Sequence, residues 1–439
     1  MRGDKRVERI VIKKLGPIDY CDFNINDFTI FTGPQASGKS TIAKSIFFFK
    51  NIRNLIVKVI HRPFLINIGG RELSVKARLI KEIRSTFLQT FGSTWCMDNR
   101  MSIKYYYTDS VCIKICLKHD PVSRNYIWID FSDKLTDFLS QYDNMSFDAR
   151  LSLHNSGNLK QDIDILFENT EEVIYIPAGR SMMTLFSSQL MYMYSVMNDD
   201  QKRSLDYCTQ DYLERIMQLK PSFSSSIETL IKDKIELTDI KINKENLKQC
   251  ADLMKQILHG EYRNVDGEER LQVSQDRYVK INFASSGQQE AVWILNVVFY
   301  YLLNNKKTFF IIEEPESHLF PDAQKLMTEF ISLAKNGGNK VLLTTHSPYI
   351  LGTINNMLYA NRISKKVNKS KVEKIMNRLK WLQFEKLSAY YVESGVIRSC
   401  LDKEFESIDN EVIDGVSDVI NRDYDRMLEL WYDSGMEVE

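Results

Sequence analysis

The sequence has few of the features that cross-link a protein or place it in a membrane. Seven cysteines are spread over 439 residues without a C-x-x-C pair, which favours packed, reduced thiols in the cytosol over disulfides or zinc ligands. Residues 1–16, MRGDKRVERIVIKKLG, contain charges throughout and lack the apolar core of a signal peptide. Residues 181–198 carry almost no charge, but Ser, Thr, Gln and Asn make them too polar for a membrane span. We therefore expect a cytoplasmic protein without a membrane segment.

An excess of charge is also absent, because 58 basic residues balance 58 acidic ones. This balance excludes a polycationic nucleic-acid binder as a whole, although it allows local basic patches. We find no internal repeat and no heptad run long enough for an extended coiled-coil arm. With 44% hydrophobic and 26% charged residues, the composition is typical of a soluble globular protein, and the length predicts one composite domain or two lobes.

The stretch DFTIFTGPQASGKST contains a phosphate-binding pattern between a strand and a helix. Gly33 and Gly38 allow the backbone to turn tightly, so that successive N–H groups and the start of the helix surround an anion. Lys39 is predicted to reach the β- and γ-phosphates, and the hydroxyl of Ser40 to hold Mg²⁺. An ordinary glycine-containing turn is the alternative. The candidate loop residues are Gly33, Gln35, Ala36, Ser37, Gly38, Lys39, Ser40 and Thr41.

Two acids follow a second apolar strand, FFIIEEPE. Acids at the carboxyl end of a buried strand are delivered to the ligand edge of a parallel sheet. We predict that Glu313 holds Mg²⁺ through water and that Glu314 orients or deprotonates an attacking water. A solvated acidic turn is the alternative.

A third strand, KVLLTT, ends at His346. A lone histidine at a strand end is more often structural, but here the imidazole is predicted to lie beside the same edge and to sense hydrolysis. The segment ASSGQQE predicts a capped helix start, with Ser286 as N-cap and Gln289 three residues later. Such a helix N-terminus is also an anion site.

Strands and helices alternate around these motifs, which predicts an α/β fold with a mostly parallel sheet. Three short strand-like runs between 101 and 133 predict an antiparallel lobe. We divide the chain into an N-terminal lobe with the phosphate-binding pattern and the antiparallel runs (1–180), a helical insertion (181–260), a C-terminal lobe with ASSGQQE, the two acids and His346 (261–360) and a C-terminal accessory segment (361–439).

In their order along the chain, the four motifs resemble those of ABC-type P-loop ATPases. The phosphate loop resembles Walker A, SSGQQE a degenerate signature, IIEEPE Walker B and TTHS the segment of the switch histidine. More narrowly, EEPESHLFPDAQ and TTHSPYIL resemble the soluble branch that contains the overcoming-lysogenization-defect (OLD) family of anti-phage systems. The resemblance is strong over 28–50 and 283–350. It implies ATP and Mg²⁺ as cofactors and a head-to-tail dimer. The residues that would complete the site of a second subunit are Ser286, Gly287 and Gln289.

Two departures from the ABC pattern suggest slow hydrolysis. Glu313 stands where most of the superfamily has Asp, and Gln288 where the signature usually has Gly. Arg180, in IYIPAGRS, occupies the chain position of the loop that links nucleotide to lobe movement. It is a candidate contact to phosphate or to the neighbouring subunit, and a structural salt bridge is an equal alternative.

The C-terminal part leaves two questions open. Asp423 and Asp425 form a D-x-D pair, but the helical pattern around them favours a surface acidic face over a Toprim nuclease centre. Residues 362–380 carry eight Lys or Arg against one Glu, which suits nucleic acid, an acidic partner or a solvated loop equally.

The sequence therefore predicts an ATPase that self-associates and controls a separately encoded effector, a nuclease, in anti-phage defence. One alternative is a DNA-repair or DNA-organising clamp. The other is the nucleotide-binding subunit of a transporter, which would be shorter and have a more regular signature.

Overall fold

In the computed structural model, the described residues are 8–61, 73–120, 124–143, 145, 158–186, 189, 192, 193, 196–198, 201, 205–237 and 243–433. The strands are β1 Arg9–Leu15, β2 Ile18–Asn24, β3 Phe28–Thr32, β4 Ser102–Tyr106, β5 Cys112–Asp120, β6 Arg124–Phe131, β7 Glu172–Ile176, β8 Glu261–Val265, β9 Glu268–Gln272, β10 Tyr278–Lys280, β11 Thr308–Glu313, β12 Lys340–Thr345, β13 Leu387–Glu393, β14 Val396–Ser399, β15 Leu401–Asp402 and β16 Ser407–Ile408.

The longer helices alternate with these strands along the chain. They are α1 Lys39–His61, α2 Val75–Phe91, α3 Asp133–Ser140, α4 Asn158–Leu166, α5 Arg180–Leu185, α6 Tyr207–Leu219, α7 Ile227–Leu237, α8 Lys244–Leu258, α9 Ser286–Leu303, α10 Pro321–Asn336, α11 Pro348–Ile363, α12 Lys369–Glu373 and α13 Asn410–Asp433.

One sheet of eleven strands organises the fold, in the order β6-β5-β4-β1-β2-β14-β13-β3-β12-β11-β7. The five strands from β13 to β7 run parallel to one another. The strands β1, β2, β4, β5 and β6 pair antiparallel and extend the same sheet. The predicted class, an α/β fold with parallel strands and an antiparallel N-terminal part, is therefore confirmed.

The C-terminal segment is part of this sheet and is not the accessory segment that we predicted for 361–439. Strand β13 lies directly beside β3 and parallel to it. The turn after β13 reaches the N-terminal hairpin, where the carbonyl of Gly395 accepts backbone hydrogen bonds from Asp19 at 2.7 Å and Tyr20 at 3.1 Å. The hairpin β13–β14 thus joins the parallel and antiparallel parts of the sheet.

Both faces of the central strands are covered, which explains their nearly continuous apolar sequences. All residues of β3 and β11 are buried. One face packs against α1, whose Phe47, Phe48 and Phe49 are buried, and the other against α9, whose Trp293 is fully buried. This packing fixes the strand ends on which the candidate site depends.

The described residues between 205 and 258 are mainly helical, and α6, α7 and α8 pack on the α9 side of the sheet. The hairpin β8–β9 turns at Asp266 and Gly267, with φ values of 52° and 84°. Two successive positive φ values are those of the type I′ turn that a D-G pair predicts.

None of the seven cysteines forms a disulfide, although Cys96 is exposed where we expected packed thiols. In the part of the chain that the structure describes, no helix is both long and apolar enough to cross a bilayer. Asp423 and Asp425 lie exposed on α13, as the surface-face interpretation predicts.

Candidate functional site

Three neighbouring strands end beside one another and bring the predicted motifs together. In the register of the sheet, Thr32 of β3 pairs with Thr345 of β12, and Thr344 pairs with Glu313 of β11. Adjacent strands lie about 4.8 Å apart, so the phosphate loop after β3, the acids after β11 and His346 after β12 lie on one edge of the sheet. The structure thus brings together the three motifs that the sequence placed at strand ends.

The loop between β3 and α1 has the backbone geometry of an anion cradle. Gly33 and Gly38 have φ values of 137° and 108°, and Ala36 has a φ of 57°. No described residue accepts a hydrogen bond from the backbone N–H groups of 36–40. These donors are therefore available to an anion at the N-terminus of α1. Gln35 and Ala36 lie exposed at the tip of the loop.

Gly33 is required by packing as well as by its φ. An added Cβ would lie 2.2 Å from the backbone carbonyl oxygen of Val392 in β13. We expect Gly33→Ala to lower the free energy of unfolding by roughly 3 kcal/mol, because left-handed strain and overpacking each cost about 1–3 kcal/mol. Chemical denaturation of both proteins measures this difference.

Gly352 provides the control for this prediction. It lies within α11 with nothing near the position of an added Cβ. Gly352→Ala should be neutral or stabilising by up to about 1 kcal/mol, because alanine has the higher helix propensity. Equal stabilities of the two variants would show that β13 does not constrain the loop.

Lys39 is buried inside the loop between β3 and α1. Its Nζ donates to the carbonyl oxygens of Gly33 at 2.9 Å and Pro34 at 2.7 Å. Burial lowers the pKa of Lys39 to about 8, and the nearby carboxylates after β11 oppose this shift. A phosphate beside the amine would also favour its charged form, so the position suits an anion.

Glu313 and Ser40 fit the site of a divalent cation. Glu313 is buried, and its Oε2 accepts a hydrogen bond from the backbone N–H of Ala178 at 3.3 Å. Its other oxygen, Oε1, is buried without a hydrogen-bond partner among the described residues. Such an unpaired oxygen suits a water held by Mg²⁺, and Ser40 is exposed in the first turn of α1.

Glu314 and His346 face each other at the edge of the sheet. Their side chains are partly exposed, and Oε1 of Glu314 lies 3.4 Å from Nε2 of His346. Glu314 has a φ of 41°, and its N–H donates to the carbonyl of Thr344 at 2.9 Å. This turn directs the Glu314 carboxylate out of the sheet, where it can reach a water molecule.

Glu316 is a component of the site that our sequence analysis did not assign. Its Oε1 accepts hydrogen bonds from the backbone N–H of His346 at 2.6 Å and the hydroxyl of Thr345 at 2.8 Å. Burial raises the pKa of Glu316. The available signal was a further acid directly after Pro315, in a turn already bordered by two acids.

The predicted cap of α9, the helix that begins in the segment ASSGQQE and is called the signature helix below, was wrong by one residue. The N-cap is Ser285, whose Oγ accepts from the N–H of Gln288 at 3.3 Å, while Oε1 of Gln288 accepts from the N–H of Ser285 at 2.9 Å. The capping box therefore joins Ser285 to Gln288 and not Ser286 to Gln289. Two adjacent serines satisfy the same spacing rule, so the sequence pattern could not separate them.

This shift changes which residues face outward. Ser286 is exposed and Gly287 half-buried at the start of α9. Gln289 is buried, and its Nε2 donates to the carbonyls of Ile281 at 3.1 Å and Ala284 at 3.0 Å. The prediction that Gln289 serves a second subunit is therefore not supported by its position.

Arg180 is fully buried and forms an ion pair with Glu290 of α9, with Nη2 and Oε2 3.2 Å apart. Of the alternatives left open for Arg180, the geometry corresponds to the structural ion pair.

A glycine-containing phosphate loop, a buried lysine and acids at the end of a neighbouring parallel strand define a P-loop ATPase. The chain belongs to the family described as AAA ATPase domain, whose model matches residues 6–351. A comparison with curated proteins found no match.

Solved structures that match this chain include heads of SMC proteins and an ABC cassette. An SMC head bound to the C-terminal winged-helix domain of ScpA is 13% identical, with 90% of this chain and 96% of that chain covered and a TM-score of 0.40. An Smc head with an extended coiled coil, bound to the C-terminal domain of ScpA and derived from Pyrococcus furiosus, is 12% identical, with 95% and 99% covered and a TM-score of 0.37. The ATP-binding cassette of an ABC transporter in its ADP conformation is 11% identical, with 93% and 95% covered and a TM-score of 0.31. At these identities and TM-scores, the similarities establish nothing about the activity of this chain.

Proposed function

We propose that the protein binds MgATP in the loop after β3 and hydrolyses it. The observation that carries this proposal is the meeting of Lys39, Glu313, Glu314 and His346 at one edge of the sheet. Lys39 and the loop amides would hold the phosphates, and Ser40 with Glu313 would hold Mg²⁺, which neutralises phosphate charge. Glu314, positioned beside His346, would orient the attacking water.

Two copies would form the complete site, arranged head to tail. Ser286 and Gly287 begin a helix of 18 residues whose N-terminus is accessible at the surface. The free N–H groups and dipole of such a terminus favour a phosphate. In this arrangement, the helix start of one copy closes over the ATP held by the loop of the other.

Mixing two inactive variants tests this arrangement. Lys39→Ala removes the loop amine, and Ser286→Arg blocks the helix start at an exposed position. An arginine at Gly287 would instead clash with its own backbone, because a Cβ there would lie 2.7 Å from the carbonyl oxygen of His318. We expect each variant alone to be inactive and an equimolar mixture to recover activity, up to about a quarter of the wild-type ATP turnover. This fraction arises because half of the dimers are mixed and each mixed dimer has one intact site of two.

The mixture has a clear negative result. If its turnover equals the average of the two separate variants, the sites do not combine residues from two copies. If wild-type protein does not hydrolyse ATP in the presence of Mg²⁺, the proposed activity itself is wrong. Light scattering with and without a non-hydrolysable ATP analogue measures the accompanying change in association.

We further propose that ATP turnover controls a separate effector, a nuclease, in anti-phage defence. The support is the resemblance of EEPESHLFPDAQ and TTHSPYIL to the OLD-like branch. The ATPase component of the PARIS defence system has a similar layout of motifs. Co-purification with the product of an adjacent gene tests this role, and an association unchanged in Lys39→Ala and Glu314→Gln variants would contradict control by ATP.

A DNA-organising clamp is the second candidate, and the basic segment 362–380 favours it. Lysines at 365, 366, 369, 371 and 374 are exposed there. Phosphate binding by these lysines would show a steep dependence on salt. Fluorescence anisotropy with duplex DNA at two salt concentrations tests this candidate, and exchange of the five lysines for glutamine should abolish any binding that they mediate.

A further inference from the structure

Arg180 is a charged side chain that the proposed chemistry leaves unused, although it is fully buried. It follows β7 after a turn in which Gly179 has a φ of 70°. A buried guanidinium is costly unless its donors are satisfied. The partners of Arg180 therefore indicate what its burial achieves.

The guanidinium donates four hydrogen bonds and makes one further contact with a carboxylate. Nε donates to the carbonyl of Glu290 at 3.0 Å, and Nη1 donates to the carbonyls of Pro177 and, at 2.7 Å, Glu313. Nη2 donates to the carbonyl of Glu314 at 2.9 Å and lies 3.2 Å from the carboxylate of Glu290. Only arginine supplies five donors in a planar fork, so lysine cannot replace it in this position.

Glu290 completes the connection from the other side. Its Oε2 accepts from the backbone N–H of Arg180 at 3.0 Å, and its Oε1 accepts from the N–H of Ser181 at 2.9 Å. The hydroxyl of Thr184 also donates to the carbonyl of Gln289 at 2.9 Å. The short helix α5 is thus fastened to the first turns of α9, the helix that begins at Ser286.

The carbonyl of Glu314 is the most informative of these contacts. Glu314 adopts a φ of 41°, a left-handed conformation that is uncommon for a residue other than glycine. Its N–H is held by the carbonyl of Thr344 and its carbonyl by Arg180, both at 2.9 Å. The two hydrogen bonds hold the turn that directs the Glu314 side chain toward His346.

We infer that Arg180 is a positioning residue that acts through Glu314 and ties the turn of Glu314 to the signature helix. This inference rests on the proposed ATPase function. It implies that a displacement of α9 changes the geometry of the Glu314 turn. The ion pair Arg180–Glu290 is the element that transmits this displacement.

The test compares steady-state ATP hydrolysis by wild-type protein and Arg180→Lys. We expect kcat to fall about 10- to 100-fold, the scale of a misplaced reacting group. KM and the affinity for a non-hydrolysable ATP analogue should remain within about threefold, because the phosphate loop does not contact Arg180. A merely structural role would instead lower stability without separating kcat from KM.

A second measurement asks whether Arg180 acts through Glu314. In single-turnover assays, adding Arg180→Lys to a Glu314→Gln variant should lower the rate by less than about twofold, because residues that act as a unit are not additive. A further tenfold loss in the double variant would overturn the inference. So would an unchanged kcat in Arg180→Lys while wild-type protein hydrolyses ATP.

Two more variants distinguish a loss of positioning from misfolding. If Arg180→Lys does not fold, Glu290→Gln is tested in its place. This variant keeps an acceptor for one backbone N–H and should lower kcat about 3- to 10-fold. An unchanged kcat in a folded Glu290→Gln protein would also overturn the inference. Lys220→Arg makes a conservative exchange in another buried pair, Lys220–Glu269 at 2.7 Å, and should leave kcat unchanged. Inactive wild-type protein would contradict the proposed function and not the role of Arg180 alone.

Discussion

Substituting alanine for Lys39 is expected to lower ATP turnover at least about 100-fold, the usual loss when one preorganised donor is removed from a developing charge. ATP binding should weaken in parallel, because Lys39 would contact the phosphates in both the ground state and the transition state. Turnover is measured by phosphate release, and binding by titration with a fluorescent ATP analogue.

The structure gives the physical reason for so large an effect. Lys39 is buried within a loop whose carbonyls of Gly33 and Pro34 it already contacts. Its amine is therefore held next to the free N–H groups of 36–40 without the reorganisation that a surface lysine would need. Loss of this amine removes the only positively charged side chain between Gly33 and Thr41.

Lys44 provides a matched control on the same helix. It pairs with Asp206 at 3.0 Å, and both side chains are partly exposed. A partly exposed pair of this kind is worth about 1 kcal/mol or less, so Lys44→Ala should keep ATP turnover within about threefold. Equal losses in both variants would indicate damage to α1 and not loss of a phosphate contact.

The local parts of the site were predictable from the sequence because each motif is contiguous. A strand, a loop with glycines at fixed positions and a helix start follow one another between Phe28 and Thr41. Parallel strands present their carboxyl ends at one edge, so Glu313 and His346 were placed correctly relative to the loop. The alternation of strand and helix was sufficient for the fold class.

The neighbour of β3 was not predictable in the same way. Strand β13 pairs with β3 across more than 350 residues, since Leu387 lies opposite Phe28. Nothing in LSAYYVE specifies whether it forms an edge strand or enters the middle of a sheet. The partner of a strand depends on tertiary packing, which short-range patterns do not contain.

The burial of charged side chains could not be predicted from the sequence either. An arginine after a P-A-G turn suits a surface contact, an interface or a buried pair, and only the three-dimensional structure brings Arg180 to Glu290. The same holds for Glu316, whose partners Thr345 and His346 come from another strand end. Sequence therefore located the residues that end strands, while the structure was needed for those that connect elements.

Exchange of Glu314 for glutamine should separate ATP binding from ATP hydrolysis. Removal of a general base lowers the rate of the chemical step by about 10²- to 10⁴-fold. The amide has nearly the same shape, and the contact of Ser317 with Oε2, at 3.4 Å, can be kept by a terminal amide group. ATP affinity should therefore stay within about threefold of wild type, because Glu314 does not belong to the phosphate loop.

The contrast with Lys39→Ala makes this prediction specific. Glu314→Gln should retain or increase ATP-dependent self-association, since ATP is bound but not consumed, whereas Lys39→Ala should lose that association. Glu236→Gln, at an exposed position that pairs only with Lys232 among the described residues, is the control and should match wild-type turnover. If Glu314→Gln hydrolyses ATP within about threefold of the wild-type rate, Glu314 is not the general base. The water would then have to be oriented by another group at the same edge, such as His346, whose Nε2 lies 3.4 Å from Oε1 of Glu314.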